Sequence, residues 1–126
     1  MTAGYVDTSC LVAIAFGERG ADRMIGRLVS SDRLLSSNLL EAELRSAVAR
    51  EGISAGVDDL IGGVTWVFPD RSLTREFDTV LSAGYVRGAD LWHLAVALFV
   101  DPKREIAFIT LDQRQKRIAR ALGFPE

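Results

Sequence analysis

The chain has 126 residues, of which 48% are hydrophobic and 25% charged, so we expect one folded globular domain spanning residues 1–126. The net charge of −2 argues against a broad basic surface, although all but two of the 15 basic residues are arginines, which suit phosphate contacts. The apolar run at 10–16 is too short for a membrane span, and no basic segment precedes it to suggest a secretory signal. The single cysteine, Cys10, fits a reducing compartment, so we expect a cytoplasmic protein.

Short apolar segments with the composition of buried strands alternate with helical patterns along the chain. In order, we predict a strand at 3–6, helices at 9–16 and 21–29, a strand at 33–36, helices at 39–50 and 54–61, a strand at 65–68, helices at 73–82 and 89–100, a strand at 106–109 and a helix at 113–122. Asn38 is predicted to cap the helix at 39–50, and Gly52 to end it. Alternating strands and helices predict an α/β fold with a parallel sheet covered on both faces.

Two of the predicted strands lead into an acidic residue. Asp7 follows the first strand directly, and Asp112 follows the fourth after Thr110 and Leu111. Parallel sheets bind ligands beyond the carboxyl ends of their strands, so both acids are candidate site residues. Each precedes a predicted helix, so an N-cap role is the alternative. The neighbouring threonines Thr8 and Thr110 are candidates for positioning these acids, again with capping as the alternative.

Two further acids lie on predicted helices. Glu43 falls within the apolar stripe of the 39–50 helix, where an acid is rarely kept without a partner; the alternative is a salt bridge to an arginine. Asp90 lies in the first turn of the 89–100 helix, where it also suits the helix dipole. His93, the only histidine, follows three residues later. We expect it to have a structural role in packing this helix, with a supporting contact to the site as the alternative.

If Asp7, Glu43, Asp90 and Asp112 converge, their mutual repulsion raises their pKa values unless a cation offsets it. Mg²⁺ takes oxygen ligands and retains water, and Mn²⁺ serves similarly. Such an ion can polarise a phosphodiester and make a bound water a better nucleophile. We therefore expect a metal on Asp7, Asp90 and Asp112, with Glu43 bonded to it directly or through water, and catalysis by this set of four acids.

Four segments around these acids resemble the motifs of PIN-domain ribonucleases, specifically the VapC-type toxins of type II toxin–antitoxin systems. The segments are 5–9 (YVDTS), 39–44 (LLEAEL), 89–95 (ADLWHLA) and 108–114 (FITLDQR). The resemblance places the family's four acids at Asp7, Glu43, Asp90 and Asp112. Together the four motifs span almost the whole chain in the order of the family.

This resemblance implies a three-layer α/β/α sandwich with a central parallel sheet of four or five strands. It also implies Mg²⁺- or Mn²⁺-dependent endonucleolytic cleavage of RNA, a homodimer that forms a heterotetramer or larger assembly with its antitoxin, and inhibition by that cognate antitoxin protein. Two features depart from the family pattern. Few residues follow Leu122, so a fifth strand must be very short or missing, and Leu91 is bulkier than the residue expected after the third acid.

Two other functions use similar residues. A phospho-receiver-like signalling module also places acids at strand ends and binds Mg²⁺, but it needs a lysine after its last strand. Lys103 and Lys116 lie before the fourth predicted strand and inside the final helix. A catalytically inactive PIN scaffold that binds RNA or protein is the other alternative, which the four retained acids disfavour. For a nuclease, Arg45, Arg87 and Arg114 are the arginines nearest the motifs and are candidates for contacts with the RNA backbone, with a simple solvated surface charge as the alternative for each.

Overall fold

The computed structural model describes residues 2–53 and 56–126. Its sheet consists of four parallel strands in the order β3-β2-β1-β4. The strands are β1 (Ala3–Val6), β2 (Arg33–Ser37), β3 (Val64–Val67) and β4 (Ala107–Ile109). The chain moves outward from β1 through β2 to β3, and then returns to place β4 on the other side of β1. The strand order therefore reverses between β1 and β4, which is where open α/β sheets bind ligands.

The helices follow the predicted order. They are α1 (Thr8–Phe16), α2 (Ala21–Val29), α3 (Leu39–Glu51), α4 (Val57–Ile61), α5 (Thr74–Ala83), α6 (Gly88–Val100) and α7 (Gln113–Leu122). Apart from the start of α4, every predicted helix and strand agrees with the structure to within one residue at each end. The predicted beginning of α4 at Ser54 lies outside the described residues.

Two hydrophobic clusters cover the two faces of the sheet. Alternate residues of a strand point to opposite faces, so Tyr5 belongs to one cluster and Val6 to the other. Phe108 and Ile109 of β4 divide in the same way. Buried side chains of α5, α6 and α7 complete the first cluster, and those of α1, α2, α3 and α4 complete the second. The described residues thus form the α/β/α sandwich that was predicted, with four strands in its sheet.

The predicted cap of α3 is wrong. Asn38 already has helical dihedral angles (φ −61°, ψ −15°), and its side chain makes no capping hydrogen bond. A capping side chain needs an extended backbone to reach the free N–H groups of the first turn. The Ser37 hydroxyl takes this role instead and accepts a hydrogen bond from the Leu39 N–H at 3.0 Å. Gly52 ends the helix as predicted, with a left-handed φ of 64°.

The C-terminal segment takes the place in which a fifth strand was considered. The Phe108 N–H donates to the Pro125 carbonyl at 2.9 Å, and Phe124 is buried against Phe108 with a ring-centroid distance of 5.9 Å. The segment therefore shields part of the outer edge of β4. In the described ranges it adds no strand to the sheet.

Candidate active site

The topology brings the two strand-end acids to the same edge of the sheet. Val6 is in register with Ile109 on the neighbouring strand, and the Asp7 N–H donates to the Ile109 carbonyl at 2.9 Å. Asp7 and the segment that leads to Asp112 therefore leave the sheet side by side. This edge is also where α1 and α7 begin, so their N-terminal dipoles favour negative charge here.

Asp7 is buried, with 4% of its surface exposed, yet its two carboxylate oxygens are used unequally. Oδ2 accepts hydrogen bonds from the Ser9 N–H at 3.4 Å, the Ser9 hydroxyl at 2.8 Å and the Thr110 hydroxyl at 2.9 Å. Asp7 is thus the N-cap of α1, as the alternative interpretation held. All three bonds use one oxygen, so capping leaves Oδ1 available to a ligand.

Thr110 is the junction between Asp7, Asp112 and α7. Besides donating to Asp7, its hydroxyl oxygen accepts from the Asp112 N–H at 3.0 Å and lies 3.2 Å from Oε1 of Gln115. A hydroxyl has one proton to donate, and the charged, closer carboxylate of Asp7 is the stronger acceptor. Thr110 therefore orients Asp7, which is the positioning role considered for it.

Gln115 is a residue of the site that sequence reasoning missed. It is fully buried, its N–H donates to Oδ1 of Asp112 at 2.8 Å, and its side-chain amide reaches the Asp90 carbonyl at 3.4 Å. Asp112 is thereby the N-cap of α7, and Gln115 connects α7 to the start of α6. The spacing of Asp112 and Gln115 is typical of a capping box, but the side-chain amide reaches Asp90 instead of the Asp112 N–H, a contact that this spacing does not predict.

Glu43 is bound by side chains from two other elements. Its Oε1 accepts a hydrogen bond from the Thr8 hydroxyl at 2.7 Å and lies 2.9 Å from Nε2 of His93. Burial acts to raise the pKa of Glu43, but these hydrogen bonds outweigh it, and the pKa is lowered. The salt bridge considered as the alternative does not form in the described residues: Arg45, on the same helix, pairs with Glu41 and Asp58 instead.

His93 is 1% exposed and packs in the core, as expected for it. Packing is nevertheless an incomplete description, because its ring also contacts Glu43, Thr8 and Tyr5. The signal in the sequence was its spacing of three residues from Asp90, which puts both side chains on one side of α6.

Asp90, in the first turn of α6, interacts electrostatically with the other three acids. Burial raises its pKa, and the negative charges of Asp7, Asp112 and Glu43 raise it further, while His93 acts in the opposite direction. The fold thus gathers the four predicted acids into one electrostatically coupled region, which we call the acidic edge: Asp7, Glu43, Asp90 and Asp112. Within residues 2–53 and 56–126, however, no three His, Cys, Asp or Glu side chains have the arrangement that holds a metal ion.

The donor set of the acidic edge still fits a hard divalent cation. It consists of carboxylate oxygens, and Oδ1 of Asp7 and Oε2 of Glu43 take no part in the hydrogen bonds described above. Burial raises the pKa of Asp90 most, and the negative charges of Asp7, Asp112 and Glu43 raise it further; a bound cation would offset this repulsion.

A parallel sheet with coupled carboxylates at its carboxyl edge defines an α/β protein with a candidate ligand site. Comparison with protein families is more specific: the PIN domain model matches residues 4–121, so the chain belongs to the PIN domain family. PIN domains are typically nucleases and generally use divalent metal ions. No match was found among curated proteins. In the part of the chain that the structure describes, no helix has the length and apolar composition needed to cross a membrane.

Proposed function

We propose that this protein is a Mg²⁺- or Mn²⁺-dependent endoribonuclease and the toxin of a toxin–antitoxin pair. The observation that carries the nuclease proposal is the acidic edge: four carboxylates from separate parts of the sequence interact at the carboxyl end of β1 and β4, where the strand order reverses. Gathering charges of one sign destabilises a fold. Such an arrangement is typical of a functional site rather than of a structural one.

Asp7, Asp90, Asp112 and Glu43 would hold the cation, which would supply the positive charge that polarises the phosphodiester and activates a water. The hydroxyls of Ser9 and Thr110 fix Asp7, and that of Thr8 fixes Glu43. Asp7 and Glu43 therefore each present one free oxygen in a defined place before substrate arrives. Such preorganisation lowers the free energy that binding would otherwise spend on ordering the site.

RNA has to approach this acidic edge despite the negative charge of both. Arg87 lies one residue before α6, and Arg114 lies in the first turn of α7; both are exposed. Neither forms an ion pair within the described ranges. Both are therefore available for phosphate contacts, which arginine makes in bidentate geometry. Arg45 is engaged with Glu41 and Asp58 and is a poorer candidate.

The toxin role is supported by the resemblance of all four motif segments to VapC-type toxins. In this proposal the protein forms a homodimer, and a cognate antitoxin inhibits it within a heterotetramer or larger complex. Induced expression should then stop growth, and co-expression of the antitoxin should restore it. Normal growth on induced expression of wild type would contradict the toxin proposal, and growth arrest by Asp7→Asn as strong as that by wild type would show that the toxicity does not depend on the acidic edge.

The nuclease is tested with purified wild type, Asp7→Asn and the matched control Asp78→Asn, whose side chain is exposed on α5. We expect wild type and the control to cleave RNA with Mg²⁺ or Mn²⁺, and EDTA to abolish cleavage. Asp7→Asn should fold but lose cleavage. Equal cleavage by all three proteins would remove Asp7 from the site, and RNA binding without any cleavage would indicate an inactive scaffold.

A further inference from the structure

A chain of buried hydrogen bonds leads from β2 to the carboxylate of Glu43. The Ser37 N–H donates to the Tyr5 hydroxyl oxygen at 3.2 Å, and that oxygen lies 2.9 Å from Nδ1 of His93. On the other side of the ring, Nε2 lies 2.9 Å from Oε1 of Glu43. Tyr5 and His93 are 0% and 1% exposed, so these groups have to satisfy one another rather than bulk water.

The directions of these hydrogen bonds follow from the atoms involved. The Tyr5 oxygen accepts the Ser37 N–H, so its own proton needs an acceptor, and Nδ1 of His93 is within reach. Leaving that buried proton without an acceptor would destabilise the fold. At the other end, Nε2 faces an oxygen of a carboxylate, which only accepts. The hydrogen bonds therefore assign one tautomer to His93, with its proton on Nε2.

We propose that His93 is a positioning residue for Glu43: Tyr5 holds the ring in the Nε2–H tautomer, and the ring N–H together with the Thr8 hydroxyl holds Oε1, which leaves Oε2 as the oxygen that serves the site. This proposal rests on the proposed function, because it assigns Oε2 to the metal site. Supporting groups of this kind orient a ligand before the metal binds, and removing one typically costs about 10- to 100-fold in metal affinity or activity.

The tautomer can be observed without any assay of activity. The chain has one histidine, so ¹⁵N labelling of histidine produces a single pair of ring-nitrogen signals in a long-range ¹H–¹⁵N spectrum. We expect the protonated nitrogen to be Nε2 and Nδ1 to show the shift of an accepting nitrogen. A ring with its proton on Nδ1 would overturn the proposal, because that ring has no N–H to donate to Glu43.

A matched pair of substitutions separates positioning from packing. The amide nitrogen of glutamine can occupy the place of Nε2, whereas that of asparagine lies closer to the place of Nδ1. We therefore expect His93→Gln to stay near wild type, and His93→Asn to lose about 10- to 100-fold in Mn²⁺ affinity and in kcat. KM for RNA should be little changed, since His93 is buried away from the substrate. Equal losses in the two variants, or no loss in either, would overturn the proposal.

The outcomes distinguish this proposal from the proposed function. If wild type cleaves no RNA, the nuclease proposal fails, while the ring-nitrogen spectrum and the Mn²⁺ affinities still decide the role of His93. If wild type cleaves RNA but His93→Asn is indistinguishable from it, the nuclease proposal stands and the positioning role falls. Thermal unfolding of each variant identifies any protein that has not folded, and the spectrum of wild type then decides the question.

Discussion

Replacing Thr110 by valine tests whether the buried hydroxyl at the end of β4 holds Asp7 in place. Thr110 is 4% exposed, and its hydroxyl donates to the Asp7 carboxylate at 2.9 Å. A hydrogen bond to a charged group contributes about 1.5–3 kcal/mol. The Asp112 N–H would also lose its acceptor, but Asp112 is exposed, so water can replace that bond at little cost. We therefore expect Thr110→Val to lower the free energy of unfolding by about 1.5–3 kcal/mol.

Thermal unfolding of the metal-free protein measures this loss. For a chain of this size each kcal/mol lowers Tm by roughly 3–6 °C, so we expect a decrease of about 5–18 °C. Thr79→Val is the matched control, because its hydroxyl is exposed on α5 and, among residues 2–53 and 56–126, bonds only the Arg75 carbonyl one turn earlier, at 3.0 Å. Thr110→Val should also weaken cleavage of RNA. The reasoning is refuted if the two variants unfold at the same temperature, since burial and the charged partner would then have no effect.

Two carboxylate-to-amide substitutions should change stability in opposite directions. The pKa of Asp90 is raised by burial and by Asp7, Asp112 and Glu43, so ionised Asp90 destabilises the fold and Asp90→Asn should stabilise the metal-free protein at pH 7. This gain should shrink as pH falls through the raised pKa of Asp90 and vanish below the ordinary pKa of an aspartic acid. Burial acts to raise the pKa of Glu43, but the hydrogen bonds from His93 and Thr8 outweigh the effect of burial, so the pKa is lowered overall. Ionised Glu43 therefore stabilises the fold above the ordinary pKa of a glutamic acid, and this contribution is lost as pH falls through the lowered pKa. Glu43→Gln should destabilise the protein by about 1 kcal/mol at pH 7. Urea unfolding between pH 3 and pH 7 measures the change in the free energy of unfolding for both variants. Changes of the same sign in the two variants at pH 7 would contradict the environments assigned to Asp90 and Glu43.

The boundaries of helices and strands could be predicted because local composition controls them. Apolar spacing distinguishes helix from strand over a few residues, and Gly52 ends α3 since glycine adopts a left-handed conformation at little cost. The cap of α3 shows where this reasoning stops. Both Ser37 and Asn38 can cap a helix, and only the backbone angles of the folded chain decide that Ser37 does so.

The acids were also recognisable in the sequence as candidate site residues. Each lies either where a charge destabilises the fold or where a parallel sheet binds ligands. Position along the chain could not reveal their partners. Glu43 bonds to Thr8 and His93, which lie 35 and 50 residues away in sequence. Gln115 is buried at the junction of α6 and α7, although its sequence context also fits an ordinary capping residue.

The sequence alone thus determined the α/β class and the extent of nearly every element, and it marked the four acids as candidates, since all of these depend on residue type and on spacing over one or two turns. Tertiary structure decided the strand order, which oxygen of Asp7 and of Glu43 is held, and the contact between His93 and Glu43. The bond between Thr110 and Asp7 joins residues 103 positions apart. Such a contact forms only after distant elements have packed together, because the packing, and not the local pattern, determines which polar groups meet.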